Sequence, residues 1–155
     1  MFKKLVKNER GLTLIELLAV VVILGIIAAI AIPAIGGMIN NSRIDAHISN
    51  AKTIANAARL SVAAEATPIP TNGVVITLED LIDDGLLEEI DDPSTNGNYT
   101  STGTTQTRVT VTQGTGEVIY RVQLVTGAHS YVVAADGQTA IPNADDLERE
   151  NIDLP

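Results

Sequence analysis

Residues 17–35 read LLAVVVILGIIAAIAIPAI, nineteen positions without a charge. As a helix this run spans ~28 Å, close to the ~30 Å hydrocarbon thickness of a bilayer. The residues before it are basic. Lys3, Lys4, Lys7 and Arg10 face one acid, Glu9, so residues 1–11 carry net +3, while residues 12–155 hold six basic and eighteen acidic side chains, net −12. A basic flank stays on the cytoplasmic side of a membrane, so the chain beyond about residue 42 is expected outside. The 155 residues amount to about one domain. They include no Cys and no Trp, and aromatics are 3 %. A disulfide scaffold, a thiolate zinc site and a cysteine nucleophile are thereby excluded. An acidic body also argues against electrostatic capture of nucleic acid.

Glu16 complicates a plain anchor. It sits at the head of the apolar run, after Leu12, Leu14 and Ile15. An unpaired carboxylate inside a membrane costs ~2–3 kcal/mol. It therefore needs a cationic partner, a proton, or an interfacial place in the first turn of a helix.

The stretch KNERGLTLIELLAVVVILGIIAAIAIP, residues 7–33, resembles the N-terminus of type IV prepilins. The likeness lies in the short basic leader, Gly11, the run Leu12-Thr13-Leu14-Ile15-Glu16, and a long apolar helix with Pro33. It covers about residues 3–40. The one departure is Leu12, where the family usually carries phenylalanine. The resemblance implies cleavage between Gly11 and Leu12 by a prepilin peptidase, N-methylation of Leu12, and Glu16 as the fifth mature residue. Removing the leader takes away the +3 anchor and leaves a positive amine on Leu12. In a fibre that amine can pair with Glu16 of a neighbouring subunit. Such a pair sets axial register more than it adds stability, because desolvation offsets much of the Coulomb gain.

Gly25 and Pro33 are ordinary residues in membrane helices. Pro33 nevertheless removes a backbone bond and tends to kink the helix. The resemblance implies that the stretch between them is a weak point, able to unwind on assembly. A secretory signal cut near Ala29-Ile30-Ala31 is the competing reading; the apolar run is too long for it and Glu16 interrupts its start.

Beyond Gly37 the pattern turns amphipathic. Ile44, Ile48, Ala51, Ile54, Ala55, Ala58 and Val62 form one stripe at helical spacing, so a single helix is expected from about Leu12 to Ala66. A second helix, TLEDLIDDGLLEE, opens at Thr77 with Asp80 as a capping-box acid. Its acids, through Asp91 and Asp92, read as a solvated face. Residues 94–107 read as an exposed loop. Overlapping its start, Asp92, Ser94, Asn96, Gly97 and Asn98 loosely match the start of a calcium loop whose twelfth position, Gly103, lacks the required acid. Asn98-Tyr99-Thr100 is a formal glycosylation sequon. Strands are expected at 108–112, 117–125 and 129–135, forming an antiparallel meander, followed by a loose acidic tail from Asn143. His47 and His129 lie in unrelated contexts and read as filler. No phosphate loop, metal spacing or catalytic constellation emerges.

The fold class expected is therefore α+β and pilin-like, a long N-terminal helix packed on a small antiparallel meander. Its divisions are a leader at 1–11, a transmembrane or filament-core helix at 12–42, and an extracytoplasmic head at 43–155. The resemblance implies a structural subunit and not an enzyme, with no cofactor. Its partners would be copies of itself, a prepilin peptidase and methyltransferase, an assembly ATPase with its membrane platform, and membrane lipid before assembly. The precursor would sit in the cytoplasmic membrane and the product in an extracellular pilus, with no nucleic acid bound along the shaft. Alternatives are a pseudopilin of a type II secretion or DNA-uptake apparatus, and a membrane-tethered binding domain.

Overall fold

The computed structural model describes residues 13–65, 69–127, 129–134 and 140–155. The chain is α+β, a long N-terminal helix followed by antiparallel strands. It divides between Ile39 and Asn40 into two compact units.

Helix α1 spans Leu14–Glu65 and runs unbroken through Gly25, Pro33 and the Gly36-Gly37 pair. Among the described residues it is the one helix long and apolar enough to cross a membrane. Eighteen large apolar side chains of the described residues are exposed, and sixteen of them lie between Leu14 and Ile39. An exposed apolar surface of this extent marks an interaction surface.

In the second unit the helical stripe does what its spacing requires. Ala51, Ile54, Ala55 and Ala58 are buried, and Ile44, Ile48 and Val62 pack against the same core. The opposing layer is a three-stranded antiparallel sheet of β1 (Val74–Thr77), β2 (Arg108–Gln113) and β3 (Val118–Gln123), in that order. Register aligns Ile76 with Val109 and Val109 with Val122, and likewise Val74 with Val111 and Val111 with Tyr120. Two apolar rows thus cross one face of the sheet and join the α1 residues in one core. Gly73, which leads into β1, has φ 77°, and a Cβ there would lie 2.7 Å from the Val111 carbonyl oxygen. Only glycine fits.

Several expectations need correction. Helix α2 covers Leu78–Asp83 alone; Thr77 and Asp80 form the expected capping box, but the chain turns at Gly85 (φ 69°) and leaves Leu86 and Leu87 packed without helix. Strand β1 falls where no strand was expected. The segment 94–107 is not simply exposed, because Tyr99 and Thr107 are buried. Thr107 donates its hydroxyl to the Val125 carbonyl and accepts from Val125 N–H at 3.0 Å.

The meander also ends differently. Val125–Thr126 (β4) and His129–Ser130 (β5) form a separate two-stranded ladder. Beyond it the chain pairs with the C-terminal tail and not with β3. Val132 bridges Ile152, Val133 N–H donates to Asn151, and Asp153 N–H donates to Tyr131. The tail is accordingly not loose. It forms two 3-10 turns, Ala144–Asp146 and Arg149–Asn151, and buries Ala144, Leu147, Asn151 and Ile152. Arg149 grips Asp45 of α1 with two hydrogen bonds of 2.8 and 2.7 Å. Arg59 pairs with Asp145 and lies 5.0 Å over the Tyr120 ring.

Candidate functional site

At the start of α1 the sequence Thr13-Leu14-Ile15-Glu16 has the spacing of a capping box, and the side chains close one. Thr13 N–H and Thr13 Oγ1–H donate to Glu16 Oε2 at 2.8 and 2.7 Å, while Glu16 N–H donates to Thr13 Oγ1 at 3.3 Å. The carboxylate of a lone chain is thus folded back onto its own helix start. Gly11 and Leu12, the residues of the expected cleavage and methylation, lie outside the described residues. Gly25 has open space where a side chain would be, so nothing in its own chain demands glycine there. Glu16, Gly25 and Pro33 are strung along one helix and do not converge on a pocket.

What the fold does bring together is a cluster that sequence reasoning missed. His47 is fully buried on α1. Its Nδ1 lies 2.6 Å from the Tyr99 hydroxyl and its Nε2 lies 2.8 Å from Ser94 Oγ. Asn50 Nδ2 donates to the Tyr99 oxygen, which assigns a consistent direction: Tyr99 donates to Nδ1, and Nε2–H donates to Ser94. Tyr131 stacks on His47 at a centroid distance of 4.0 Å, and His129 meets the Tyr131 edge at 4.8 Å. The two histidines, from unrelated stretches of sequence, therefore flank one tyrosine.

Asp92 completes the cluster and is not part of a solvated face, being 2 % exposed. It accepts from Thr126 Oγ1 and Tyr131 Oη at 2.6 Å each and from Ser94 N–H at 2.8 Å. This inward aim also engages the carboxylate that the calcium-loop likeness would have used. Burial pushes the Asp92 carboxyl up, but the Thr126, Tyr131 and Ser94 donors outweigh it and hold it below the ordinary 3.8. Burial lowers His47 from 6.5 to about 4; nearby Asp92 opposes this, and His129 and Arg43 add to it. Burial raises both tyrosines, Tyr131 to about 12.

The Ser94–His47 spacing is one that nucleophilic catalysis uses. Here the second imidazole nitrogen faces a tyrosine hydroxyl, and burial leaves the ring a weak base near neutral pH. The arrangement is that of a fully hydrogen-bonded polar core joining α1, the 91–99 turn, β4 and the segment after β5. The signal that could have located it is position. His47 falls on the Ile44–Ala51 stripe, where a polar side chain must find partners.

Residues 6–32 match the family described as the prokaryotic N-terminal methylation motif. No curated protein and no solved structure matches the chain. The matched segment is the class III signal of type IV prepilins and supports a pilin-like protein, pilus or pseudopilin. It is a signal of structural subunits and accords with a chain that is not an enzyme. Together with the apolar start of α1 it fits a membrane-anchored precursor.

Proposed function

We propose that this chain is a structural subunit of a type IV pilus filament, cut between Gly11 and Leu12 and polymerised through the first part of α1. The observation that carries the reading is the coincidence of the methylation motif with sixteen exposed large apolar side chains between Leu14 and Ile39. Covering them releases on the order of 20 kcal/mol per subunit, at roughly 1.5–3 kcal/mol for a full side-chain burial and about half exposure. In the precursor, lipid covers this surface. In the fibre, the same residues of neighbouring copies do.

Processing changes the balance between these states. The leader holds the N-terminus at the cytoplasmic face, and its loss frees the helix for extraction by an assembly ATPase and its membrane platform. The Leu12 amine, methylated and still charged, lies one residue from Thr13. In this reading Glu16 exchanges its own Thr13 donors for the amine of a neighbour, which fixes axial register. Gly25 and Pro33 supply compliance during packing.

Intact mass and N-terminal sequencing of the native protein test the reading. A chain that begins at N-methyl-Leu12, with fibres on sheared cells, is the expected result. A chain that retains Met1 is a permanent anchor, and one that begins near Ile32 is a secreted domain; either overturns the proposal. A Glu16→Ala chain should be cleaved normally but yield few fibres, and normal yield removes the registry role.

A further inference from the structure

We infer that Asn96, followed by Gly97, is a site of spontaneous backbone rearrangement that converts the asparagine to aspartate and isoaspartate, and that Asn72, also followed by glycine, is protected by the fold. The chain contains both dipeptides, Asn72-Gly73 and Asn96-Gly97. Both asparagines are exposed, so access to water does not separate them. The backbone does.

The reaction begins when the glycine nitrogen attacks the asparagine side-chain carbonyl carbon. A bond forms between Gly97 N and Asn96 Cγ, the Cγ–Nδ2 bond breaks, and ammonia leaves with the proton that Gly97 N carried. Water then adds to either carbonyl of the cyclic imide. Opening at Cγ gives aspartate and opening at the main-chain carbonyl gives isoaspartate. The step needs no reagent but water, and its cost in the fold is the hydrogen bond that the glycine N–H must give up.

At Gly97 that bond is weak. Its N–H reaches only the exposed Thr95 Oγ1 at 3.3 Å, so little stability is lost with it. The Gly97 carbonyl, which accepts from Asp92 N–H at 2.8 Å, is untouched by ring closure. At Gly73 the N–H closes the Pro70–Gly73 turn by donating to the Pro70 carbonyl at 2.8 Å. Gly73 is also pinned at φ 77° against the Val111 carbonyl, at the entrance to β1. Cyclisation there must break the turn and shift the edge of the sheet. The fold therefore selects one of two chemically equal sites.

The consequence is local and cumulative. Isoaspartate adds one main-chain atom and one negative charge inside the turn that presents Ser94 to His47. Old and new copies of the chain then differ at one defined position.

The test is timed incubation of the purified full-length protein in detergent at mildly alkaline pH, followed by peptide mapping and an isoaspartate methyl-acceptor assay. Conversion at Asn96 with little at Asn72 is the expected result. Gly97→Ala should reduce Asn96 conversion to the level at Asn72. That substitution is sterically mild, since a Cβ at Gly97 meets only Thr95 Oγ1 at 4.0 Å. Equal conversion at both sites, none at Asn96, or unchanged conversion in Gly97→Ala overturns the inference. Unfolding the protein first should equalise the two rates; a preference for Asn96 that survives unfolding assigns the selection to sequence and also overturns it.

Discussion

Removing one oxygen atom, by Tyr131→Phe, probes what holds the C-terminal region of a chain that has no disulfide to close it. Tyr131 is 1 % exposed, and its ring keeps its stack on His47 and its edge contact with His129 when the hydroxyl is gone. What disappears is the 2.6 Å hydrogen bond to Asp92 Oδ2. A hydrogen bond to a charged acceptor contributes about 1.5–3 kcal/mol. Asp92 keeps Thr126 and Ser94 as donors, so the loss should stay inside that range and not reach the cost of a stranded buried charge. The unit after Ile39 has 116 residues (155 less 39). At about 2.1 cal/mol/K per residue its melting entropy is about 0.24 kcal/mol/K, and the loss lowers Tm by about 6–12 °C. Calorimetry of the detergent-solubilised chain measures this directly, and an Asp92→Asn partner completes a double-mutant cycle. A Tyr131→Phe melt indistinguishable from wild type would refute the claim that this cluster ties the segment after β5, on which the tail pairs, into the core.

Three further outcomes follow from the same structure. His47 sits at about 4 against an ordinary 6.5, so the unfolded chain binds the extra proton between these values. Stability should be fully present above 6.5 and decline as pH falls toward 4, by roughly 3 kcal/mol, and a His47→Phe chain should lose that slope in denaturant titrations. The matching loss at Asp92, whose carboxyl is lowered from the ordinary 3.8, grows as pH falls through and below that value, so it lies at the acid end of the His47 window and beyond it. Ile54→Ala, at a fully buried core position, should cost about 2–5 kcal/mol in urea unfolding. Gly73→Ala places a methyl 2.7 Å from a carbonyl oxygen at positive φ; a loss of about 2 kcal/mol or more is expected, and wild-type stability would contradict the backbone argument.

The parts of this structure that were legible beforehand are those in which a local pattern decides the outcome. Period alone located the Ile44–Val62 stripe, and Thr77 with Asp80 announced their cap. The alternation in Arg108–Thr112 likewise gave β2. The failures are non-local. His47 looked like filler because its partners Ser94, Tyr99 and Tyr131 lie far along the chain. Asp92 looked solvated because seven other acids share its stretch from Glu79; only the fold turns this one inward. The expected third strand of the meander was taken by the tail. Its neighbour β3 instead receives Asn143, whose Oδ1 accepts from Tyr120 N–H, and Ile141, whose carbonyl accepts from Arg121. The capping box at Thr13 and Glu16 was readable from spacing, since it needs only a threonine followed three residues later by a glutamate.

The aromatic inventory carries a consequence of a different kind. Phe2 lies upstream of Gly11, and every other aromatic ring of the phenylalanine and tyrosine type, Tyr99, Tyr120 and Tyr131, belongs to the unit after Ile39, with no tryptophan anywhere. The tyrosine bands of near-ultraviolet circular dichroism and tyrosine fluorescence therefore see that unit alone, whereas far-ultraviolet ellipticity is dominated by the 52-residue helix. Without any label, the protein offers two optical channels. A change in the first with no change in the second reports rearrangement of the packed unit while the long helix stays intact.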